Sequence, residues 1–563
     1  MKSRILELPE LSKKEKILFI FIITFGFLLR FYGIWRNLPY GLNADEPLLL
    51  REALRFGKSL NIGEFVKSAP FMVLNFSILS SYYVAGKLFG FFQSPEDIAV
   101  KFVRDPAVLY FLIRTVASIL STFSILLMGI FIYRFFRKKS LFFLSIALYS
   151  FLPASVLIGR IMKEDNLAIP FFLLALIYLY TLYDEGGAKK FFIAGFLTGI
   201  AVAGKGYAIF LYPVIFLIWL QRREGIKSFL SSVFGVIIGN SIANPYPYFN
   251  LDRNITTTFL GPALPFLMNL FRIKTSGESF RYAKISGGLG WKMGEGLRNF
   301  GEGVEGGTGW LFVGILTISF FYVLIKKREK GVLPALLFIP LYLIAFFLNP
   351  QPFFHYFLPL IPWAFLVIFM MAEDLKGIYK YGIFSLLLLS FVFISAKKVI
   401  PYMFGEPTEK LALEWINKNI SNGKKLLIDQ GLFYYGLPEK RETIIREFEQ
   451  YKMLDPSIRG TTYDIRLKFA DENGYDIYRT FIYDPEAIGL TEERPGIYIT
   501  EEVKKFFDYV IIENSNIKKA KEGRLKWMKE FYVKTLGELT KVAEFVPDGF
   551  KVYGDGITIY RVK

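Results

Sequence analysis

Apolar runs, separated by short turns rich in Lys and Arg, fill the first 400 positions and then stop. The first run, 16–35, is long enough to cross a hydrocarbon core about 30 Å thick. Others follow at about 106–133, 141–159, 167–183, 191–204, 206–220, 229–244, 309–325, 332–348, 355–372 and 378–396. Between the first two lies a mixed segment, 36–105, with one moderately apolar stretch at 71–92. Beyond 400 the period changes. Helical spacing over Glu409–Ile420 is followed by short apolar runs at Lys425–Asp429, Asp508–Glu513, Ala543–Val546 and Ile557–Arg561. Helices alternating with short strands predict a small mixed sheet. The pattern therefore predicts a multi-pass α-helical membrane protein of about 11 spans with a C-terminal soluble α/β domain. The expected division is a transmembrane domain over 1–399 and an extracytoplasmic domain over 400–563. Within the first, 36–105 forms one outer loop with interfacial helices, and 245–308 forms a second, Gly-rich one.

Composition agrees. The chain is 53% hydrophobic, with 60 Phe and 33 Tyr, which suits lipid-facing and interfacial surfaces. Its net charge of +18 needs no nucleic-acid partner, because basic cytoplasmic loops account for it. If 71–92 does not cross, alternate turns collect Lys13, Lys14, Arg134, Arg137, Lys138, Lys189, Arg222, Lys326 and Lys380. The short turns on the opposite side then hold only Arg160, Lys163, Lys205 and His355, so the active face and the tail are expected outside the cell membrane. No Cys is present, which excludes disulfides and thiolate metal sites. A single His makes a protein-built zinc site a poor expectation. The first apolar run lacks a small-residue cleavage site, so no removable signal is expected. Abundant Lys, Glu and Ile fit a thermophilic source.

The unusual polar groups fall on one side of this topology. Gly41-Leu-Asn-Ala-Asp-Glu-Pro-Leu48 carries the adjacent carboxylates Asp45 and Glu46, with Pro47 suited to a first helical turn. Amide dipoles at such a helix mouth favour negative charge, so a pure helix-capping role for the pair stays open. Arg160-Ile-Met-Lys-Glu-Asp165, Gly204-Lys205-Gly206, Asn244-Pro-Tyr-Pro-Tyr248 and Asn349-Pro-Gln-Pro-Phe-Phe-His-Tyr356 lie on the same face. Charges close to a membrane usually mark function or a partner. Asp165 precedes a span and reads equally as a helix cap.

In order, these features resemble the GT-C glycosyltransferases that use lipid-phosphate sugars, among them protein O-mannosyltransferases and aminoarabinose transferases. Asp45-Glu46 matches the acidic pair of the family's first outer loop. Lys67-Ser-Ala-Pro70 loosely matches a Lys-containing segment before an interfacial helix. Leu112-Ile-Arg-Thr115 supplies an Arg at the start of a long span, Asp165 an acidic outer turn, and His355-Tyr-Phe-Leu-Pro-Leu-Ile-Pro362 the later Tyr and prolines. The WWDYG-type signature of oligosaccharyltransferase catalytic subunits is missing, which argues against transfer of a preassembled glycan to Asn.

The resemblance implies one sugar moved from a polyprenyl (dolichyl or undecaprenyl) phosphate to a hydroxyl of a glycan, protein or lipid, with inversion. The chemistry asks for a base and for cations at the departing phosphate. Asp45 is the expected base. Glu46 and Asp165 orient hydroxyls, or alternatively hold a divalent cation. Lys67, Arg160, Lys163, Lys205, Arg281 and Lys284 form the pool from which phosphate ligands come, with Tyr356 a hydrogen-bond donor by resemblance. Snorkelling from a span end is the ordinary alternative for each cation. His355 is expected to be structural. The competing function is a lipid or solute transporter, but transporters place charges near the midplane and carry repeats, and neither pattern is present.

Overall fold

The computed structural model of the chain describes residues 6–39, 45–59, 68–245, 293–327, 331–347, 354–429, 432–433, 435–454, 461–480, 500–522 and 528–562. It divides into two compact units. One comprises Met1–Ile34, Asp45–Leu79 and Leu112–Val399; the other comprises Trp35–Ala44, Ser80–Phe111 and Ile400–Lys563. Parts of 36–105 thus sort with the C-terminal residues rather than with most of the apolar helices.

The first unit is helical and built around the apolar runs. Helix α1 (Lys13–Phe31) starts at a capping box in which Ser12 Oγ accepts from Glu15 N–H and Glu15 Oε2 accepts from Ser12 N–H. It is followed by α2 (Asp45–Ser59), α3 (Ala69–Leu88), α4 (Glu96–Arg104), of the other unit, and the long α5 (Ala107–Phe136). The run at 141–159 forms two helices, α6 (Lys139–Phe151) and α7 (Pro153–Ile158), parted where Pro153 cannot continue the ladder. Then come α8 (Asp165–Thr181), α9 (Ala188–Gly204), α10 (Leu211–Arg222) after a 3-10 turn at Gly206–Phe210, and α11 (Ile226–Ala243). Beyond the second loop lie α12 (Met293–Gly307), α13 (Trp310–Lys326), α14 (Leu333–Phe347), a 3-10 turn at Phe354–Leu360, α15 (Ile361–Glu373) and α16 (Gly377–Phe404).

Among the described residues, four stretches are long and apolar enough to cross a membrane: Ala107–Phe136, Ile226–Ala243, Phe354–Glu373 and Gly377–Phe404. Counting Phe300–Gly307 with Trp310–Lys326, which meet at a bend of 104°, as one broken span gives five. The sequence-based count of about 11 is larger because it also takes in broken and shorter apolar helices, and α1, whose ends carry Lys13, Lys14, Glu15, Lys16 and Arg30. The chain is a multi-pass helical membrane protein.

Two features hold this unit together. Arg30 is fully buried in α1 and donates to Ser121 Oγ (2.9 Å), Ser155 Oγ (2.8 Å) and the carbonyls of Gly26, Tyr149 and Ser150 (2.8, 3.2 and 3.1 Å). Tyr149 and Ser150 end α6, so the guanidinium satisfies the orphan carbonyls at the α6–α7 break. Helices α9 and α11 meet backbone to backbone through glycines. A Cβ on Gly195 would lie 2.0 Å from Ser232 O, and one on Gly199 2.2 Å from Val236 O. Reciprocally, a Cβ on Gly235 would lie 2.2 Å from Phe192 O, and one on Gly239 2.1 Å from Phe196 O. Small residues at this spacing permit close helix contact in lipid, where apolar burial alone drives little association.

The second unit carries a five-stranded sheet. Its strands are β1 (Lys425–Ile428), β2 (Asp476–Arg479), β3 (Tyr509–Glu513), β4 (Thr540–Phe545) and β5 (Ile557–Arg561). The order is β2-β1-β3-β5-β4, with β1 parallel to β2 and β3, and β5 antiparallel to β3 and β4. One face packs Ala412, Leu413 and Ile416 of α17 (Thr408–Asn419) against Leu426, Ile428, Ile511 and Ile559. The other buries Leu427, Val510 and Ile512 against Phe507, Phe531 and Tyr532.

Candidate active site

Four carboxylates from two helix beginnings form the site. Asp45 and Glu46 occupy the first turn of α2, where the free N–H groups favour negative charge. They have different fates. Glu46 is fully buried: its Oε1 accepts from Arg114 Nε (2.9 Å) and from Met162 N–H (2.8 Å), and its Oε2 from Arg114 Nη2 (2.7 Å). Arg114, itself fully buried on α5, also donates to Ile34 O at 3.0 Å. This bidentate fork fixes α2 against α5 and the turn before α8, the arrangement in which a buried ion pair is best satisfied. Asp45 instead pairs with Lys163 and keeps 27% of its side chain exposed.

The second pair opens α8. Asp165 is its first residue, fully buried; Glu164 stands at the cap with no side-chain capping bond, so the helix-cap reading of Asp165 does not describe its contacts. Asp165 Oδ2 accepts from Lys205 Nζ at 2.9 Å, and Oδ1 from Tyr207 Oη at 3.3 Å. Glu164 accepts from the same Lys205 ammonium at 3.3 Å. His355 Nε2 lies 4.0 Å from Asp165 Oδ2, and the Lys205 ammonium sits 5.8 Å from the centre of the Tyr356 ring. Tyr356 is held in turn by its carbonyl, which accepts from Tyr342 Oη at 2.8 Å.

The sequence-derived residues therefore divide. Asp45 and Lys163 form one ion pair, while Asp165, Lys205 and Tyr356 meet in one cluster. Arg160 is buried and donates to Leu29 O at 2.8 Å. Lys67, Arg281 and Lys284 lie outside the described residues. Arg114, Glu164, Tyr207 and His355 belong to the arrangement but were not chosen as site residues. Tyr207 is two positions from Lys205 in the same turn, and Glu164 adjoins Asp165. Among the described residues no three His, Asp or Glu side chains converge to hold a metal ion.

The geometry is two buried ion-pair systems hung from helix termini, with one partly open carboxylate. Residues 108–248 match the family model of dolichyl-phosphate-mannose-protein mannosyltransferases. The resemblance to lipid-phosphate-sugar glycosyltransferases is met in the sequence. That segment, about a quarter of the 563 residues, contains Arg114, Met162, Lys163, Asp165, Lys205 and Tyr207. A comparison with curated proteins finds no match. Among solved structures, the chain is similar to the ArnT of Cupriavidus metallidurans in the apo state, with 11% identity over 98% of this chain and 99% of that one, TM-score 0.49. The same ArnT bound to undecaprenyl phosphate gives 10% identity, the same coverage and TM-score 0.46. The apo oligosaccharyltransferase of Archaeoglobus fulgidus gives 11% identity over 90% of this chain and 70% of that chain, TM-score 0.43.

Proposed function

We propose that the chain is a membrane glycosyltransferase that moves one sugar from a polyprenyl phosphate to a hydroxyl acceptor, with Asp45 as the general base. The observation that carries the assignment is the inequality among the four carboxylates. Glu46, Glu164 and Asp165 retain 0%, 4% and 0% side-chain exposure and are committed to Arg114 or Lys205, whereas Asp45 retains 27%. A base must reach the proton it takes, and of the four Asp45 is the most open to an entering hydroxyl. The match of residues 108–248 to the mannosyltransferase family supports the donor class and makes mannosyl donors the first to test.

In the reaction, the acceptor oxygen bonds to the anomeric carbon while the bond from that carbon to the phosphate oxygen breaks. Asp45 receives the acceptor proton, and the polyprenyl phosphate leaves with the bonding electrons. Inversion follows from a single displacement. Lys163 pairs with Asp45 and is placed to meet the departing phosphate as the Asp45 carboxylate takes up the proton. Lys205, whose ammonium is shared here by Asp165 and Glu164, stays in the pool of phosphate ligands with Lys67, Arg281 and Lys284. Glu46 and Asp165 act as positioning residues.

Full-length protein in nanodiscs is incubated with radiolabelled polyprenyl-phosphate sugars and a panel of hydroxyl acceptors. Donor consumption with acceptor labelling is expected, falling by at least about 100-fold in Asp45→Asn. Retained labelling in that variant refutes the base assignment. Solute or lipid translocation without donor consumption refutes the enzyme.

A further inference from the structure

The turn between α3 and α4 presents Leu88, Phe89 and Phe91 to the outside at 80%, 76% and 78% exposure. Scattered surface apolar residues need no explanation, but three adjacent ones this open do. The backbone beneath them is closed. Phe89 N–H donates to Ala85 O (3.0 Å), Gly90 N–H to Lys87 O (3.1 Å), and Phe91 and Phe92 N–H to Gly86 O (2.7 and 3.3 Å). Gly90 makes the closure at φ +77°, with nothing within 4 Å of where a Cβ would stand. Phe92 folds underneath at 9% exposure, edge-on to Tyr82 with ring centres 5.2 Å apart. A Cβ on Gly86 would lie 2.2 Å from the Phe92 ring, so the base of the turn is tightly packed.

These are the bonds of a Schellman helix end with Gly90 at C′, and they leave the N–H groups of the turn satisfied without water. In hydrocarbon each donor must find a partner in the chain. The polar border is equally sharp. Lys87 beside the tip carries its ammonium 6.0 Å from the Tyr83 ring, on a stem long enough to reach lipid phosphate. On the other side Gln93 and Ser94 N–H groups donate to the Asp97 carboxylate at 2.6 and 2.9 Å, starting the polar face of α4.

We infer that the 88–91 turn inserts into the acyl region of the bilayer, with Lys87 at the level of the lipid phosphates. The occupant of this apolar tip is lipid, not protein. The chain has no Cys, so Phe89→Cys, Phe91→Cys and Gln93→Cys each give one attachment point for a nitroxide on the full-length protein. In phosphatidylcholine–phosphatidylglycerol nanodiscs, labels at 89 and 91 are expected to collide with dissolved oxygen and to be shielded from a water-soluble nickel chelate. The label at 93 should show the reverse. Chelate collision at 89 and 91 equal to that at 93 puts the tip in water and overturns the inference. Shielding from both reagents at 89 and 91 means protein covers the tip, and also overturns it. Reading 89 and 91 as separate variants keeps the test intact if one of them folds poorly.

Discussion

Replacing Gly195 by Ala tests the glycine contact on which the placement of Lys205 depends. The new Cβ meets Ser232 O at 2.0 Å, its carbonyl carbon at 2.8 Å and its Cα at 3.0 Å. All three are backbone atoms of α11, so no side chain can swing away. Raising the 2.0 Å contact to the 3.0 Å of the most distant of the three moves α9 and α11 apart by about 1 Å. A gap of that size forfeits about a quarter to a half of each dispersion contact along the interface. Overpacking of this kind costs about 1–3 kcal/mol. The displacement also reaches the site, because α9 ends at Gly204 and Lys205 follows it to meet Asp165 at 2.9 Å. A misplacement of about 1 Å in a catalytic arrangement lowers turnover by up to about 100-fold. The assay is thermal unfolding of the full chain in detergent together with donor consumption in nanodiscs. Gly314→Ala, inside α13 with nothing within 4 Å, is the control: it should raise stability by up to about 1 kcal/mol through helix propensity and leave turnover unchanged. A Gly195→Ala protein that matches wild type in both measurements refutes the claim that this contact sets the position of α9.

Other expectations follow from single contacts. Arg114→Met leaves Glu46 buried without its cation and should cost about 3–5 kcal/mol by thermal unfolding, most of it recovered in Arg114→Met/Glu46→Leu. Arg30→Leu uncovers the carbonyls of Tyr149 and Ser150 at the helix break and should cost about 2–4 kcal/mol, read by the same assay. Burial pushes the Glu409 carboxyl up to about 7 although it accepts from Phe433 N–H at 2.7 Å. At pH 6 Glu409 is therefore protonated when folded and ionised when unfolded, so stability falls as pH rises from about 5 to about 7.5, by at most about 3 kcal/mol for this half-buried group. Glu409→Gln should flatten that dependence in denaturant titrations of the full chain at pH 5, 6, 7 and 8.

The sequence made the element positions legible because each apolar run is either long with helical spacing or short and bounded by polar residues. Runs read at 425–429, 508–513 and 557–561 lie on β1, β3 and β5. The breaks were less legible: Pro153 marks one, but whether a helix resumes after it depends on Arg30, over a hundred residues away, capping the open end. In the site, adjacency exposed the Asp45-Glu46 pair but not the difference between its members. That difference comes from Arg114 on a remote helix and from the Met162 N–H, a backbone group with no residue-type signal. Lys163 was placed among phosphate ligands from its side of the membrane; its pairing with Asp45 is a matter of register between two elements that no local spacing encodes. Glu164 escaped notice because a carboxylate beside Asp165 reads as ordinary helix-start composition until Lys205 is brought to both.

The contacts at the mouth of α2 run between neighbours on both sides: Asp45 to Lys163, and Glu46 to Met162. Consecutive residues thus close like two teeth of a clasp, and neither opens without straining the other. Parting α2 from that turn therefore breaks the Asp45–Lys163 pair and the Met162 N–H bond to Glu46 together.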